Sequence, residues 1–184
     1  MLKLLQECKD AKRIGISGHI RPDGDCIGSC LALYQYLKKC LPENVYIKVY
    51  LEKPAPIFGE LKGFEEIDSR FPEEEAFDVF FIVDCNQERL GDAAKYCESA
   101  AKKINIDHHI SNAQGSAMVN YIKPHASSAS ELVYELIDQE LMDEEIAKAL
   151  YIGMVHDTGV FQYSNTAPST LRAAADLIGY GFDF

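Results

Sequence analysis

The chain has 184 residues, enough for one domain with a full hydrophobic core. Apolar residues make up 47%, yet no apolar run approaches the roughly 20 residues of a membrane-spanning helix, so no membrane role is expected. The net charge of −11 argues against holding long nucleic acid by its phosphates, which needs a basic face; a nucleic-acid substrate would be short or gripped elsewhere.

The opening segment, MLKLLQECKDAKR, is too charged for a secretory core and lacks a small-residue cleavage site. It reads as a short amphipathic helix with Leu2, Leu5 and Ile14 inward, and the cytoplasm is the expected compartment. Residues 12–17 read as a strand, and 27–39 as a helix with Leu31, Leu33, Tyr34 and Leu37 on its apolar face. Residues 45–51 alternate and are β-branched, a strand; Pro54 and Pro56 then break the chain, and 64–67 add an edge strand. Residues 78–83 are almost continuously apolar, as in a strand buried on both faces. A helix is expected over 89–100, and strands over 103–106 and 117–122. Residues 127–139 open on serines suited to capping, with Glu131 spaced for a capping box with Ser128. Helices at 143–155 and 169–178 complete the chain.

This alternation predicts an α/β fold: a mostly parallel β-sheet with helices on both faces, ligands gathering at the carboxyl ends of the strands. No repeat, low-complexity stretch or linker divides the chain, and the helix-rich part from Ser127 onward is expected to lie as a lobe against the sheet. None of the six cysteines forms a C-x-x-C pair, which argues against structural zinc, and their scatter fits reduced thiols. Cys26 and Cys30, one helical turn apart, are expected to pack against the sheet.

Four Asp/His clusters each follow an apolar run. They are His19, Asp23 and Asp25 in GHIRPDGDCIGS, Asp84 in FFIVDC, Asp107-His108-His109 in INIDHH, and Asp157 in YIGMVHDTG. One such cluster is ordinary; four suggest loops converging on one rim of a sheet to hold metal. Carboxylate and imidazole donors without thiolate suit Mn²⁺ or Mg²⁺, or Fe or Co. Gly24 separates Asp23 from Asp25 and would allow a tight turn, so each carboxylate could serve a different ion. Gly28 would let the following helix approach the sheet, and that helix's N-terminus would favour phosphate.

Two ions roughly 3.5–4 Å apart need a shared ligand and a bridging water. Asp84, a lone carboxylate at the end of a central strand, is the natural bridge. Between two cations the bridging water loses a proton and becomes the nucleophile, while the ions polarise the phosphoryl oxygens. Plainer roles stand beside these. His19 alone would be a structural histidine, and its spacing to Asp23 and Asp25 favours the ligand role. Asp84 could cap a helix, and Asp157 has the weakest context. Arg21 could touch phosphate or lie in solvent. His125 and His156 read as structural or exposed, and Asn165-Thr166 could line the pocket.

The order His19-x3-Asp23-x-Asp25, Asp84, Asp107-His108-His109, Asp157 resembles the DHH (Asp-His-His) phosphoesterases over essentially the whole chain. RPDGD and HDTGVFQYSNT look most like the branch of oligoribonucleases (nanoRNases) and 3′-phosphoadenosine 5′-phosphate (pAp) phosphatases. Related manganese pyrophosphatases usually carry Thr where this chain has Gly24. The resemblance implies that residues 1–184 are the family's N-terminal catalytic domain and bind two divalent cations, manganese foremost. By it, His19, Asp23 and Asp84 hold one ion, and Asp25, Asp84, His108 and Asp157 the other. His109 would face the substrate and steady the scissile phosphate, with Asp107 orienting a ligand histidine.

The implied substrates are short oligoribonucleotides or pAp. Alternatives are a pyrophosphatase or cyclic-dinucleotide phosphodiesterase of the same family, or a non-catalytic nucleotide-binding module. This branch continues into a smaller C-terminal domain whose glycine-rich, His-containing motif and basic residues hold substrate. The chain is therefore expected to be truncated at Phe184, to bind metal and to hydrolyse weakly; a homodimer is also expected, since members often pair through this domain.

Overall fold

The computed structural model describes residues 3–183. Its strands are β1 (Arg13–Ser17), β2 (Tyr46–Tyr50), β3 (Ile67–Asp68), β4 (Val79–Val83), β5 (Lys102–Asp107) and β6 (Val119–Ile122). Its helices are α1 (Leu4–Glu7), α2 (Gly24–Cys40), α3 (Ala94–Ser99), α4 (Ala129–Leu136), α5 (Glu144–Asp157) and α6 (Pro168–Ile178). The strands form one sheet, β3-β2-β1-β4-β5-β6, and every pairing is parallel. The chain winds outward from β1 to β3, then restarts beside β1 with β4 and winds the other way. The carboxyl ends of β1 and β4 thus flank the point where strand order reverses, where a sheet of this kind opens a crevice.

A parallel sheet must be covered on both faces. Along β4, Val79, Phe81 and Val83 enter the larger core with residues of α2, α4, α5 and α6. Phe80 and Ile82 point the other way, into a smaller core with Tyr50, Phe77, Tyr96 and Cys97 that α3 helps to close. The near-continuous apolar run of β4 follows from this double burial. Among the described residues, no helix is long and apolar enough to cross a membrane.

Helices α2 and α5 cross at van der Waals distance. A Cβ on Gly28 would collide with the Ala149 carbonyl oxygen and lie 3.2 Å from the Gly153 nitrogen. Gly28 therefore admits α5, not the sheet as expected. Gly24 is likewise not a turn residue: it opens α2, and a Cβ there would lie 2.7 Å from the His156 Cβ.

Several boundaries differ from expectation, each for a local reason. Helix α2 starts three residues earlier, because the Asp23 carboxylate accepts the N–H groups of Asp25 (3.0 Å) and Cys26 (3.1 Å). The expected helix over 89–100 is two 3₁₀ turns followed by the short α3. Gly91 interrupts it at φ +55, pressed against Ile20. The expected edge strand over 64–67 is mostly a 3₁₀ turn, Phe64–Glu66, with only β3 pairing to β2. The N-terminal helix is one turn that buries Leu4, while Leu5 is half-buried and Leu2 lies outside the described residues.

The capping box is shifted by one residue. Ser128 Oγ accepts the Glu131 N–H at 3.0 Å, but the buried Glu131 carboxylate reaches back to Ser127, accepting from its N–H (2.9 Å) and hydroxyl (2.6 Å). It also accepts from the Thr170 hydroxyl at 2.8 Å, tying α4 to α6.

Candidate metal centre

The crevice between β1 and β4 collects acidic and imidazole side chains from five places in the chain. His19 follows β1; Asp23 caps α2, and Asp25 sits in its first turn. Asp84 follows β4 in a left-handed conformation, φ +60, which is uncommon for a residue with a side chain and is found where a site dictates it. Asp107 is the last residue of β5, with His108 and His109 directly after it. Asp157 ends α5 and arrives from the far side of the α2–α5 crossing.

Asp84 is the hub. Its Oδ2 lies 3.3 Å from His19 Nε2, and its Oδ1 lies 3.3 Å from His108 Nε2. Asp23 adds an oxygen 3.7 Å from His19 Nε2. On the other side, Asp157 Oδ2 and Asp25 Oδ2 lie 3.5 and 3.9 Å from His108 Nε2. One carboxylate thus stands between two imidazoles, each with further carboxylate oxygens of its own. The sets Asp25–His108–Asp157 and Asp84–Asp107–His108–His109 each bring donor atoms within 4.8 Å of one another.

Second contacts aim these donors. His19 Nδ1 lies 2.8 Å from the Ile20 carbonyl oxygen and as a donor there leaves Nε2 free to ligate. Asp25 is fully buried, and its carboxylate accepts the first N–H groups of α4, from Ala129 at 2.6 Å and Ser130 at 2.9 Å. The Asn165 amide donates to the carbonyls of Ser127 (3.0 Å) and Asp157 (3.1 Å), joining the start of α4 to the end of α5.

The electrostatics fit cations. Burial and the neighbouring Asp84 charge push the Asp25 carboxyl well above its usual range, and burial raises Asp157. Burial would lower the His19 imidazolium, but the Asp23 and Asp84 carboxylates beside it reverse this and raise it to about 11. Burial would lower His108 too, but the Asp84 carboxylate beside it, with the Asp25 and Asp157 charges, raises it. Asp84 Oδ1 and His108 Nε2 are buried without a hydrogen-bond partner, a costly state unless a further group is meant to sit between them. Divalent ions would satisfy those atoms, and Mn²⁺, Mg²⁺ or Fe²⁺ suit the oxygen and nitrogen donors. Cations bound through His19 and His108 would displace their imidazolium protons. Mn²⁺ affinity should therefore climb with pH between pH 6 and 9, by up to about two log units per pH unit where both protons leave. Calorimetric titration at several pH values measures this slope, and a flat profile would contradict it.

Asp107 is fully buried and heads a polar network. Its Oδ1 accepts from the backbone N–H of His108 (2.8 Å) and His109 (3.1 Å) and lies 2.7 Å from His109 Nδ1. The ring it orients is therefore that of His109, not of the adjacent His108. Asn112 donates to Asp107 Oδ2 at 2.7 Å and to Asn105 Oδ1 at 2.8 Å, and Asn105 donates to the carbonyls of Ile82 and Cys85. Burial opposes ionisation of Asp107, but the hydrogen bonds from His109 and Asn112 outweigh it and hold the carboxyl below its usual value. Asn112→Ala should cost about 1–3 kcal/mol in urea unfolding near neutral pH, because a buried carboxylate loses a donor. A carboxyl depressed in the folded state stabilises above its unfolded pKa of about 4, so the deficit should shrink as pH falls below that.

Arg21 is exposed, with φ +54, and its backbone N–H donates to Glu52 at 2.7 Å; among the described residues no contact draws its guanidinium to the cluster. The N-terminal N–H groups of Asp25 and Cys26 are taken by Asp23, so the start of α2 offers phosphate less than expected. His156 is exposed beside Phe58, and His125 is exposed. Asn105, Asn112 and the N-terminus of α4 were missed from sequence. Asn105, a polar residue inside the apolar run of β5, was the available signal.

The sequence profile described as the DHH family, N-terminal domain, matches residues 13–154. Over 172 residues the chain is 34% identical to the bifunctional oligoribonuclease and PAP phosphatase NrnA of Bacillus subtilis (strain 168), covering 89% of this chain and 52% of that relative. The crystal structure of an exopolyphosphatase-related protein from Bacteroides fragilis superposes with a TM-score of 0.82 at 28% identity, over 98% of this chain and 56% of that one. That of exonuclease RecJ bound to manganese shares the fold, with a TM-score of 0.57 at 18% identity over 96% of this chain and 46% of RecJ. The chain spans about half the length of these proteins.

Proposed function

The chain belongs to the DHH family, and from that membership we propose that it carries the catalytic metal centre of a phosphohydrolase acting on short oligoribonucleotides or pAp. The observation that carries this is Asp84, whose two oxygens each lie 3.3 Å from a different imidazole, one of them buried without a hydrogen-bond partner. His19, Asp23 and Asp84 would hold one cation, and Asp25, Asp84, His108 and Asp157 a second. Manganese, the ion in the RecJ structure of like fold, is the first to try. Bound cations would supply Lewis acidity at the phosphoryl group and a water that gives up its proton near neutral pH.

The chain's own residues do the rest. Asp84 and Asp25, held rigidly by the ends of β4 and α4, fix where charge is concentrated. Asp107, raising His109 by its hydrogen bond, keeps a proton on Nδ1 and turns Nε2 outward, where the half-exposed ring can donate to or accept from a phosphoryl oxygen. The acidic surroundings disfavour a polyanionic strand and suit a substrate with few phosphates, as a dinucleotide or pAp has. A cytoplasmic setting agrees with the absence of disulfides among the described cysteines.

The test is a substrate panel with Mn²⁺: pAp, di- to pentaribonucleotides, pyrophosphate and cyclic di-AMP. Phosphate release from pAp or mononucleotide release from the oligomers is expected. Turnover of pyrophosphate or cyclic di-AMP alone would overturn the substrate assignment.

A further inference from the structure

We propose that Cys26 is a thiolate donor for the cation position beside His19, so that this centre accepts thiophilic metals through a ligand set different from the one it offers manganese or magnesium. The proposal rests on the cation reading of the crevice. The Cys26 sulfur, a ring nitrogen of His19 and a carboxylate oxygen of Asp84 all lie within 4.8 Å of one another. All three residues are buried: Cys26 is 0%, His19 7% and Asp84 2% exposed. Gly18 makes the approach possible, since a Cβ there would collide with the Cys26 sulfur and lie 2.9 Å from the Val83 carbonyl oxygen. His19 Nδ1 is engaged by the Ile20 carbonyl, so Nε2, 3.3 Å from Asp84 Oδ2, is the nitrogen left for a metal.

Cysteine packing alone would need only an apolar wall. Cys26 and Cys30, one turn on, are both fully buried in the core, but only Cys26 has its sulfur grouped with donor atoms of His19 and Asp84 among the described residues. Hard ions are satisfied by oxygen and imidazole and gain little from sulfur, whereas Zn²⁺, Cd²⁺ and Co²⁺ bind thiolate strongly. As the metal–sulfur bond forms, the thiol proton passes to solvent and no electron is transferred.

The test is optical and needs no turnover. Metal-stripped protein is titrated with Co²⁺ alone. A near-ultraviolet thiolate-to-cobalt charge-transfer band is expected for the parent and for Cys30→Ala. Cys26→Ala and the closer replacement Cys26→Ser, each checked for fold by circular dichroism, should lose that band and keep the visible bands of bound cobalt. Competition should show Cd²⁺ affinity falling at least about tenfold in Cys26→Ser while Mn²⁺ affinity changes by less than about twofold. Cobalt binding without the band in the parent, or a band that persists without Cys26, would overturn the proposal and leave the metal centre standing. A parent that binds neither Co²⁺ nor Mn²⁺ would end both.

Discussion

Asp84→Asn should remove cation binding at both positions together. The substitution keeps shape and volume but takes a negative charge from between His19 and His108, each 3.3 Å from an Asp84 oxygen. Losing even an outer partner of a metal ligand costs 10–100-fold in affinity, so loss of the shared carboxylate should exceed about a hundredfold. The cleanest readout is thermal. An ion at about a thousand times its Kd stabilises by about 4 kcal/mol, which for a chain of this length moves the melting temperature by roughly 8–16 °C. The parent should show that shift with Mn²⁺ and Asp84→Asn almost none. Hydrolysis should disappear in parallel. An Asp84→Asn protein that retains the manganese shift would remove Asp84 from the centre.

The second large effect lies outside the cluster. Gly28→Ala drives a methyl group into the Ala149 carbonyl, and backbone cannot swing aside as a side chain can. Overpacking of this kind costs about 1–3 kcal/mol, and a backbone collision belongs at the upper end, so a melting-temperature drop of roughly 6–12 °C is expected. The helices that must part are those that carry Asp25 and Asp157. Manganese affinity should therefore fall along with stability, although Gly28 touches no ligand. Gly153→Ala presses Ser130 and comes within 2.9 Å of Asp25 Oδ1, so it should weaken affinity more than its effect on unfolding suggests. Melting curves and calorimetric titration of the two variants separate these effects. A Gly28→Ala protein as stable as the parent would show that the helix crossing is looser than described.

The strands, and the Asp and His residues at their ends, were legible because a strand buried on both faces writes itself as an unbroken apolar run, as in Val79–Val83. The convergence of the clusters followed from the parallel sheet, since parallel strands place all their carboxyl ends on one rim. Asp157 was harder to place. It ends a helix, and its position depends on the Gly28–Gly153 crossing, a contact between segments far apart in sequence that no local pattern records. Gly24 and Gly28 were noticed as glycines, but the surface each admits was not, because spacing along one helix does not say which neighbour it meets.

Polar support was the least visible. Asn112 reaches the Asp107 carboxylate directly and Asn105 is linked to it through Asn112, a relation that exists only once β5 and the following turn are folded. The Glu131 carboxylate chose Ser127 over Ser128 because the buried end of α4 must also serve Thr170. Arg21 was read from its place beside Asp23 as a phosphate contact or a solvated residue, and its left-handed backbone carries it to the surface.

The central claim is that six side chains hold two cations with Asp84 shared between them. Anomalous-difference maps from crystals soaked in Mn²⁺ test it most directly. Two peaks roughly 3.5–4 Å apart are expected, one against each Asp84 oxygen, the first beside His19 and Asp23 and the second beside His108, Asp25 and Asp157. A map with no peak in the crevice at saturating manganese, or with density that avoids Asp84, would contradict it.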